Sequence, residues 1–478
     1  MGRKQTAYLF MGMLFTWPLL RTSATGTLLL AASASIPWSL DCYYLFIAAD
    51  FVFALIGIVA APSLRHLIAK SHAVLVAGGG ALLCNGLITL MEAAGHLHPL
   101  VLTFGTLGFA LSIPVLLLAW AAKAVNLMSI GYRRSALCLC GSFAASFIFG
   151  MVQYLPAPAP FILPLFCPLA SAILYALADA PPSEPSPEME KLSRGAILRR
   201  LPWGTLALFV VTMLLGCLLV GIFRSGSITR LDAPIDIARD SVTAMLACLI
   251  FLMLTRLGRG PRTFRVIWVV IFAILSFGPL LIMIAYSTPS ALLGIAASSA
   301  SRACLSFLLF FYLASITTER QLPTIFVFST VFLSSNALSD MLSFALVPVI
   351  SSALGTDYPA LLQPVAFAVS VITFALFVGF SGKMALSGTA RVPDGQPTND
   401  GNLPEASSHS ASIKHLLDEA GITEREQEVL QLIAEGNSYR ATAQQLHITE
   451  GTVQSHIKRI YGKLNVHSRQ ELIDLLRP

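Results

Sequence analysis

Residues 98–122 read HPLVLTFGTLGFALSIPVLLLAWAA and carry no formal charge until Lys123 closes the run. A helix rises 1.5 Å per residue, so about 20 predominantly apolar residues cross a hydrocarbon core of roughly 30 Å. This stretch is long enough to span alone. Working outward from it, runs of the same kind fall near 7–30, 41–62, 73–92, 135–155, 160–178, 203–223, 238–256, 264–286, 289–313, 323–349 and 361–381. The sequence therefore predicts an all-α fold: a polytopic transmembrane helical bundle of about 12 spans.

Composition points the same way. Of 478 residues, 55% are hydrophobic and 12% charged, against roughly 25% charged in a soluble domain. The mean hydropathy is +0.74, more apolar surface than a soluble interior of this length hides. The net charge of +6 suits both an anionic membrane surface and a nucleic acid, and selects neither. The eight cysteines lie almost entirely in apolar runs, and Cys138 and Cys140 are the only close pair. No zinc-type spacing or disulfide framework is present. No HExxH, nucleophile elbow or Walker loop occurs either, so the sequence reads as a non-enzyme with no cofactor.

Between the sixth and seventh runs, 180–200 carries Pro181, Pro182, Pro185 and Pro187 and then turns basic. It reads as a central loop dividing residues 1–381 into two six-helix halves. Arg3 and Lys4, Arg65 and Lys70, Lys123 with Arg133 and Arg134, Lys191 to Arg200, Arg256 to Arg265, Arg320 and Lys383 share one side. Positive residues near span ends are retained in the cytoplasm. Both termini are thus expected in the cytoplasm, with the bundle in a bacterial inner membrane. Arg3 and Lys4 before an apolar run resemble a signal peptide, but the run is long and Arg21 interrupts it, so a retained first span is expected.

Asp50 lies 15 residues before Arg65 and Asp240 lies 16 before Arg256, which hints at a six-helix repeat. Six plus six spans around a cytoplasmic loop resemble the major facilitator architecture. That family's loop signature after span two is absent from Ala61 to Ser71, and TRLGRGPR at Thr255 to Arg262 is a faint echo of it.

Beyond the last run, 382–412 shifts to Gly, Ser, Pro, Asn and Asp, the composition of a flexible tether with a mean reach of about 30 Å. From 413 to 478 charges return and apolar residues space out for amphipathic helices. Thr423 and Glu426 form a capping box opening a first helix, with Val429, Leu432 and Ile433 as its buried face and Gly436 at its C-cap. Ser438 caps a short second helix ending at Leu446. Thr449 caps a third running to about Leu464, and Ser468 with Glu471 opens a fourth. Along the third helix Val453, Ile457, Ile460 and Leu464 make one apolar stripe. From Gly451 to Gln470 the charged residues are Lys458, Arg459, Lys463 and Arg469, all positive, whereas the first helix is rich in glutamate.

The run Ile422-Thr-Glu-Arg-Glu-Gln-Glu-Val-Leu-Gln-Leu-Ile-Ala-Glu-Gly436, then Thr449-Glu-Gly-Thr-Val453, His456, Ile460-Tyr-Gly-Lys-Leu464 and Val466-His-Ser-Arg-Gln-Glu-Leu472 resembles the LuxR-type helix-turn-helix. The resemblance implies a four-helix domain that binds double-stranded DNA as a homodimer, its third helix reading bases. Carried over by position, Gln454, Ser455 and Lys458 are base-reading residues, and Thr452, His456, Arg459, Lys463 and Arg469 are phosphate or scaffold positions. Where the family has an Asn-Lys-Glu-Ile-Ala-like second helix, this chain has Tyr439-Arg-Ala-Thr-Ala443.

Two functions fit. One is a membrane-embedded one-component transcriptional regulator whose lipid-bound half senses an unknown small molecule or membrane signal. The other is a secondary transporter with an accessory regulatory tail. Asp50, Arg302 and Asp340 fall within spans, where ionisable groups are costly and face a cavity or one another. They are candidates for contacting a ligand, and a carboxylate or phosphate is the occupant that Arg302 suggests. Pairing of Arg302 with Asp340 to fix the helices is an equal alternative.

Overall fold

The computed structural model describes residues 3–20, 39–96, 98–147, 159–178, 193–226, 241–250, 252, 278–282, 290–346, 350, 358–389, 422–434, 442–443, 446 and 448–464. Every element among them is helical. The chain divides into two compact units, Met1–Thr389 and Ala390–Pro478.

In the first unit, α1 (Arg3–Thr16) continues as a 3-10 turn, Trp17–Leu20; the rest of the expected first span, 21–30, lies outside the described residues. Then come α2 (Ser39–Val59), α3 (Ala61–Ala69), α4 (Ser71–Ala93), α5 (Pro99–Ala145), α6 (Ala159–Leu177), α7 (Arg194–Arg199) and α8 (Trp203–Gly226). The second half continues with α9 (Ser241–Ile250) and α10 (Ser290–Arg320). A composite α11 follows, made of Thr324–Val327, a π-helical Phe328–Leu333, Ser334–Asp340 and a π-helical Met341–Leu346. The last is α12 (Tyr358–Thr389). Most of the expected span 264–286 lies outside the described residues.

Ser71–Met91, Pro99–Tyr132 and Ala296–Arg320 are long and apolar enough to cross a membrane. Leu45–Val59 and Ala61–Ala69, bent by 99°, count as a fourth if taken as one span. The bend follows from Pro62, which is tolerated in a first helical turn but not within a helix. The expected spans 98–122 and 135–155 correspond to the two helices within α5, which meet at a kink at the non-helical Gly131, φ −159° and ψ 72°; 148–155 lie outside the described residues. Helix α12 continues to Thr389, through the first residues of the stretch read as a tether; 390–412 lie outside the described residues.

Small residues let these helices approach closely, as is usual where lipid supplies no hydrophobic drive between helices. Gly12 on α1 lies under the indole of Trp120, so that a Cβ there would fall 1.9 Å from the ring. The indole nitrogen of Trp120 donates to Ser171 Oγ at 2.8 Å, and the Thr16 and Ser171 hydroxyls are 2.8 Å apart. α1, α5 and α6 are thereby tied through buried polar groups that are costly to leave unmade. Gly12→Val is expected to destabilise the unit by about 2–3 kcal/mol through overpacking, read as a lower Tm in detergent; an unchanged Tm would contradict this arrangement.

The two halves meet through α2 against α11 and through aromatic side chains. A Cβ at Gly57 would fall 2.1 Å from Ser329 Oγ, so the α2–α11 crossing requires glycine. Phe143 stacks on Phe307 at 4.4 Å, and Trp17 meets Phe307 and Phe310 edge-on at 5.5 and 5.2 Å. Phe310 continues to Phe328 at 5.1 Å. Thr318 Oγ1 donates to the Val125 carbonyl at 3.2 Å, another bond between the halves.

The second unit contains α13 (Glu424–Ala434) and α14 (Glu450–Leu464). Its core holds Ile422, Val429, Leu430, Ile433, Ala443, Val453, Ile457 and Ile460. Leu430 is buried where the sequence pattern favoured Leu432, which is only partly covered. The buried face of α13 is thus wider than one stripe.

Candidate functional site

At the start of α13 the capping box forms as its residues require. Thr423 donates from its backbone N–H and hydroxyl to Glu426 Oε2 at 3.0 and 3.1 Å, and Glu426 N–H reaches Thr423 Oγ1 at 3.4 Å. Lys463 Nζ, near the end of α14, donates to the same Glu426 oxygen at 2.6 Å. One carboxylate therefore closes the first helix and clamps it to the third. Lys463 chiefly, with Thr423 helping against the opposing effect of burial, holds the Glu426 carboxyl below the usual carboxylate range. The pKa is depressed in the folded state, so its stabilisation is present above an unfolded-state value of about 4.3 and lost as pH falls through the folded one. The isolated unit should lose stability on acidification below about pH 4.5, and Glu426→Gln should flatten that loss in circular-dichroism melts.

α14 opens with Thr449, whose hydroxyl accepts from Thr452 N–H at 3.2 Å. Its inner stripe, Val453, Ile457 and Ile460, is buried, and Leu464 is partly so. The opposite face leaves Thr452, Gln454, Ser455, Lys458 and Arg459 exposed.

In the first unit, Arg302 on α10 donates through an Nη to Asp340 Oδ1 on α11 at 3.2 Å, each side chain keeping 17% of its surface accessible. The same Nη lies 3.9 Å from Cys217 Sγ on α8. One turn along both helices, Ser306 Oγ donates to Asn336 Oδ1 at 2.9 Å, so the α10–α11 pair is polar over two successive turns. Asp50 lies partly buried on α2, the helix that packs against the Ser334–Asp340 segment of α11. The π-helical segments of α11 lie on either side of Ser334–Asp340, a backbone form that recurs at functional positions.

Residues 420–476 match the family described as bacterial regulatory proteins, luxR family. Similar proteins include the transcriptional regulatory protein DesR of Bacillus subtilis, 46% identical over 52 residues, which cover 11% of this chain and 26% of that protein. The nitrate/nitrite response regulator protein homolog of Haemophilus influenzae is 47% identical over 68 residues, 13% of this chain and 33% of that protein. The tail is a LuxR-type helix-turn-helix domain. The chain spans only about a quarter to two fifths of the curated relatives that it matches.

Most of the chain, the membrane unit, is similar instead to transporters of known structure. The major facilitator transporter FucP in an outward conformation aligns with a TM-score of 0.52 at 14% identity, covering 78% of this chain and 99% of that one. A bacterial homologue of the iron transporter ferroportin in an outward-facing state aligns at 0.51 and 11% identity, covering 79% and 99%. At these identities the likeness establishes the fold, an all-α major-facilitator-like bundle.

Within the LuxR-type domain, α14 brings Thr452, Gln454, Ser455, Lys458 and Arg459 onto one exposed side. Ser455 bonds back to the Gly451 carbonyl at 2.9 Å, and Thr452 shares its hydroxyl with Thr449 at 2.8 Å. His456 is partly buried, its Nδ1 without a hydrogen-bond partner among the described residues. Lys463 is held on Glu426, and Arg469 lies outside the described residues, as do most of the second helix and the fourth. Sequence reasoning missed Arg425, which pairs with Glu428 and donates to the Leu446 carbonyl at 3.0 Å. Its only signal was an i, i+3 charge pair.

Proposed function

We propose that the chain is a membrane-embedded one-component transcriptional regulator. Its tail binds promoter DNA as a homodimer, and its membrane half, residues 1–381, responds to a ligand or membrane signal. The observation that carries this reading is a LuxR-type domain with the exposed polar and basic face of α14, on the same chain as a major-facilitator-like bundle. Gln454, Ser455 and Lys458 read bases from that face, with Thr452, His456, Arg459 and Arg469 at phosphates or supporting the helix. The basic residues between spans favour both termini and the loop 180–200 in the bacterial cytoplasm.

Topology is the first test. An alkaline-phosphatase fusion at Gly382 is expected to be inactive and a cytoplasmic reporter fused there active; the reverse would place the tail away from DNA and end the proposal. The transporter-like fold also supports a second reading, a transporter with an accessory regulatory tail. Substrate uptake that persists after the tail is deleted would favour it, whereas promoter occupancy by the full chain that changes with a signal but without uptake favours the regulator.

A further inference from the structure

The 99° bend at Pro62 carries α3 across the end of the α2 span, so that α3 runs along the membrane surface. Its inner side, Ala61, Leu64 and Ile68, is buried, and Leu67 stands exposed beside His66 and Lys70. Outward apolar stripes reach it from both neighbouring helices. On α2, Val52, Leu55, Ile56 and Val59 are exposed at i, i+3, i+4 and i+7, and on α4 Val76, Leu83, Leu87 and Leu90 are exposed. Arg194, the first residue of α7, donates to the Val59 carbonyl, which holds its guanidinium where the α2 stripe ends. Just beyond α7 the exposed indole of Trp203, at the start of the apolar α8, donates to the Leu198 carbonyl at 2.7 Å. An amphipathic ring at the end of an apolar helix is the usual mark of the headgroup level.

Positive charge in this corner is unmatched among the described residues. The side chains of Lys70 and Arg199 are exposed and make no hydrogen bond or ion pair there, and Arg194 meets a carbonyl. Neither 61–70 nor 193–203 contains an Asp or Glu. Cations at headgroup level, beside apolar side chains within reach of acyl chains, match an anionic phospholipid in both charge and polarity. A soluble phosphate would meet the charges and leave Leu67 and Trp203 without a role. We propose that the corner of α3 and α7 is a docking surface for anionic phospholipid, with headgroup phosphates at Lys70, Arg194 and Arg199 and acyl chains against Leu67 and the outward stripe of α2. With α3 about 14 Å long, adjoining headgroups can occupy it at once. The assignment rests on the reading of the membrane half as responsive to a membrane signal, and names that signal as anionic-lipid content. α7 is held to the first half through Val59 and to the second through Arg320, which donates to the Arg200 carbonyl, so lipid bound here bears on the arrangement of the halves.

The test uses the full chain in phosphatidylcholine nanodiscs, with unfolding followed by tryptophan fluorescence as phosphatidylglycerol replaces up to about a third of the lipid. Tm is expected to rise by about 2–4 °C, and the rise to shrink in high salt. Glycerol phosphate added to discs of phosphatidylcholine alone is the free-phosphate arm and should give no rise. Lys70→Gln/Arg199→Gln should lose more than half of the phosphatidylglycerol effect, because both side chains are exposed and free to meet headgroups. Arg134→Gln, an exposed position on α5 away from the corner, should keep it. Should the double variant fail to fold, Lys70→Gln alone must reduce the rise. The proposal is overturned by an undiminished rise in Lys70→Gln/Arg199→Gln, an equal reduction in Arg134→Gln, or stabilisation by glycerol phosphate. Absence of any rise also overturns it, the outcome expected if Glu184, Glu188 and Glu190 of the central loop, which lie outside the described residues, occupy these cations. A phosphatidylglycerol effect centred on the corner, with reporter transcription identical in Lys70→Gln/Arg199→Gln and the parent, would instead overturn the membrane-signal reading and leave the docking surface standing.

Discussion

Arg302→Gln should lower the stability of the membrane unit by about 3 kcal/mol, because removing one member of an enclosed ion pair exposes the other to an uncompensated interior. Asp340 then loses the guanidinium beside it. Neutralising Asp340 as well, in Arg302→Gln/Asp340→Asn, should restore much of the loss, and a double-mutant cycle on Tm in nanodiscs measures the coupling. Equal Tm in the single variant and the parent would mean that the pair contributes nothing to holding α10 on α11. Transcription read in parallel separates two roles. A variant at normal abundance that no longer responds to the inducing condition assigns the pair to signal recognition, and one that fails to accumulate assigns it to holding the helices together.

Lys458→Ala should cost about 1–3 kcal/mol of operator affinity, a five- to 150-fold loss, and relax selectivity at particular base positions. The side chain is exposed on the face of α14 opposite Val453, Ile457 and Ile460, so its removal leaves the fold intact. Binding to operators permuted one base at a time makes the measurement. An unchanged base preference would show that the reading face of α14 lies elsewhere, with Gln454 the next residue to replace.

Much of this was legible from local pattern. The apolar runs announce the spans because a helix satisfies its own backbone in lipid. The Thr423 and Glu426 box, the Thr449 cap and the stripe Val453, Ile457 and Ile460 follow from neighbours three and four residues apart. What stayed hidden depends on residues far apart in sequence. Nothing in the local pattern says that Lys463 meets Glu426 or that Trp120 lies over Gly12. The pairing of Arg302 with Asp340 was one of two open alternatives, and hydropathy could not choose between them. The break expected between 122 and 135 takes the form of a kink at Gly131.

The bond from Lys463 to Glu426 has a consequence for how the tail senses salt. A lysine that neutralises a DNA phosphate releases a condensed counterion, and each such contact steepens the fall of log K with log salt by about 0.9. Lys463 already has its anion within the domain, so in the proposed DNA complex it is expected to displace no counterion. Lys463→Gln should therefore leave the salt slope unchanged while lowering the melting temperature, whereas loss of an arginine that touches phosphate, such as Arg459, flattens the slope by about one unit. On the proposed reading, one of the basic residues of α14 is engaged by Glu426 within the domain, and the sequence-independent attraction to DNA is expected to be smaller by one contact, leaving base-edge contacts a larger share of the affinity.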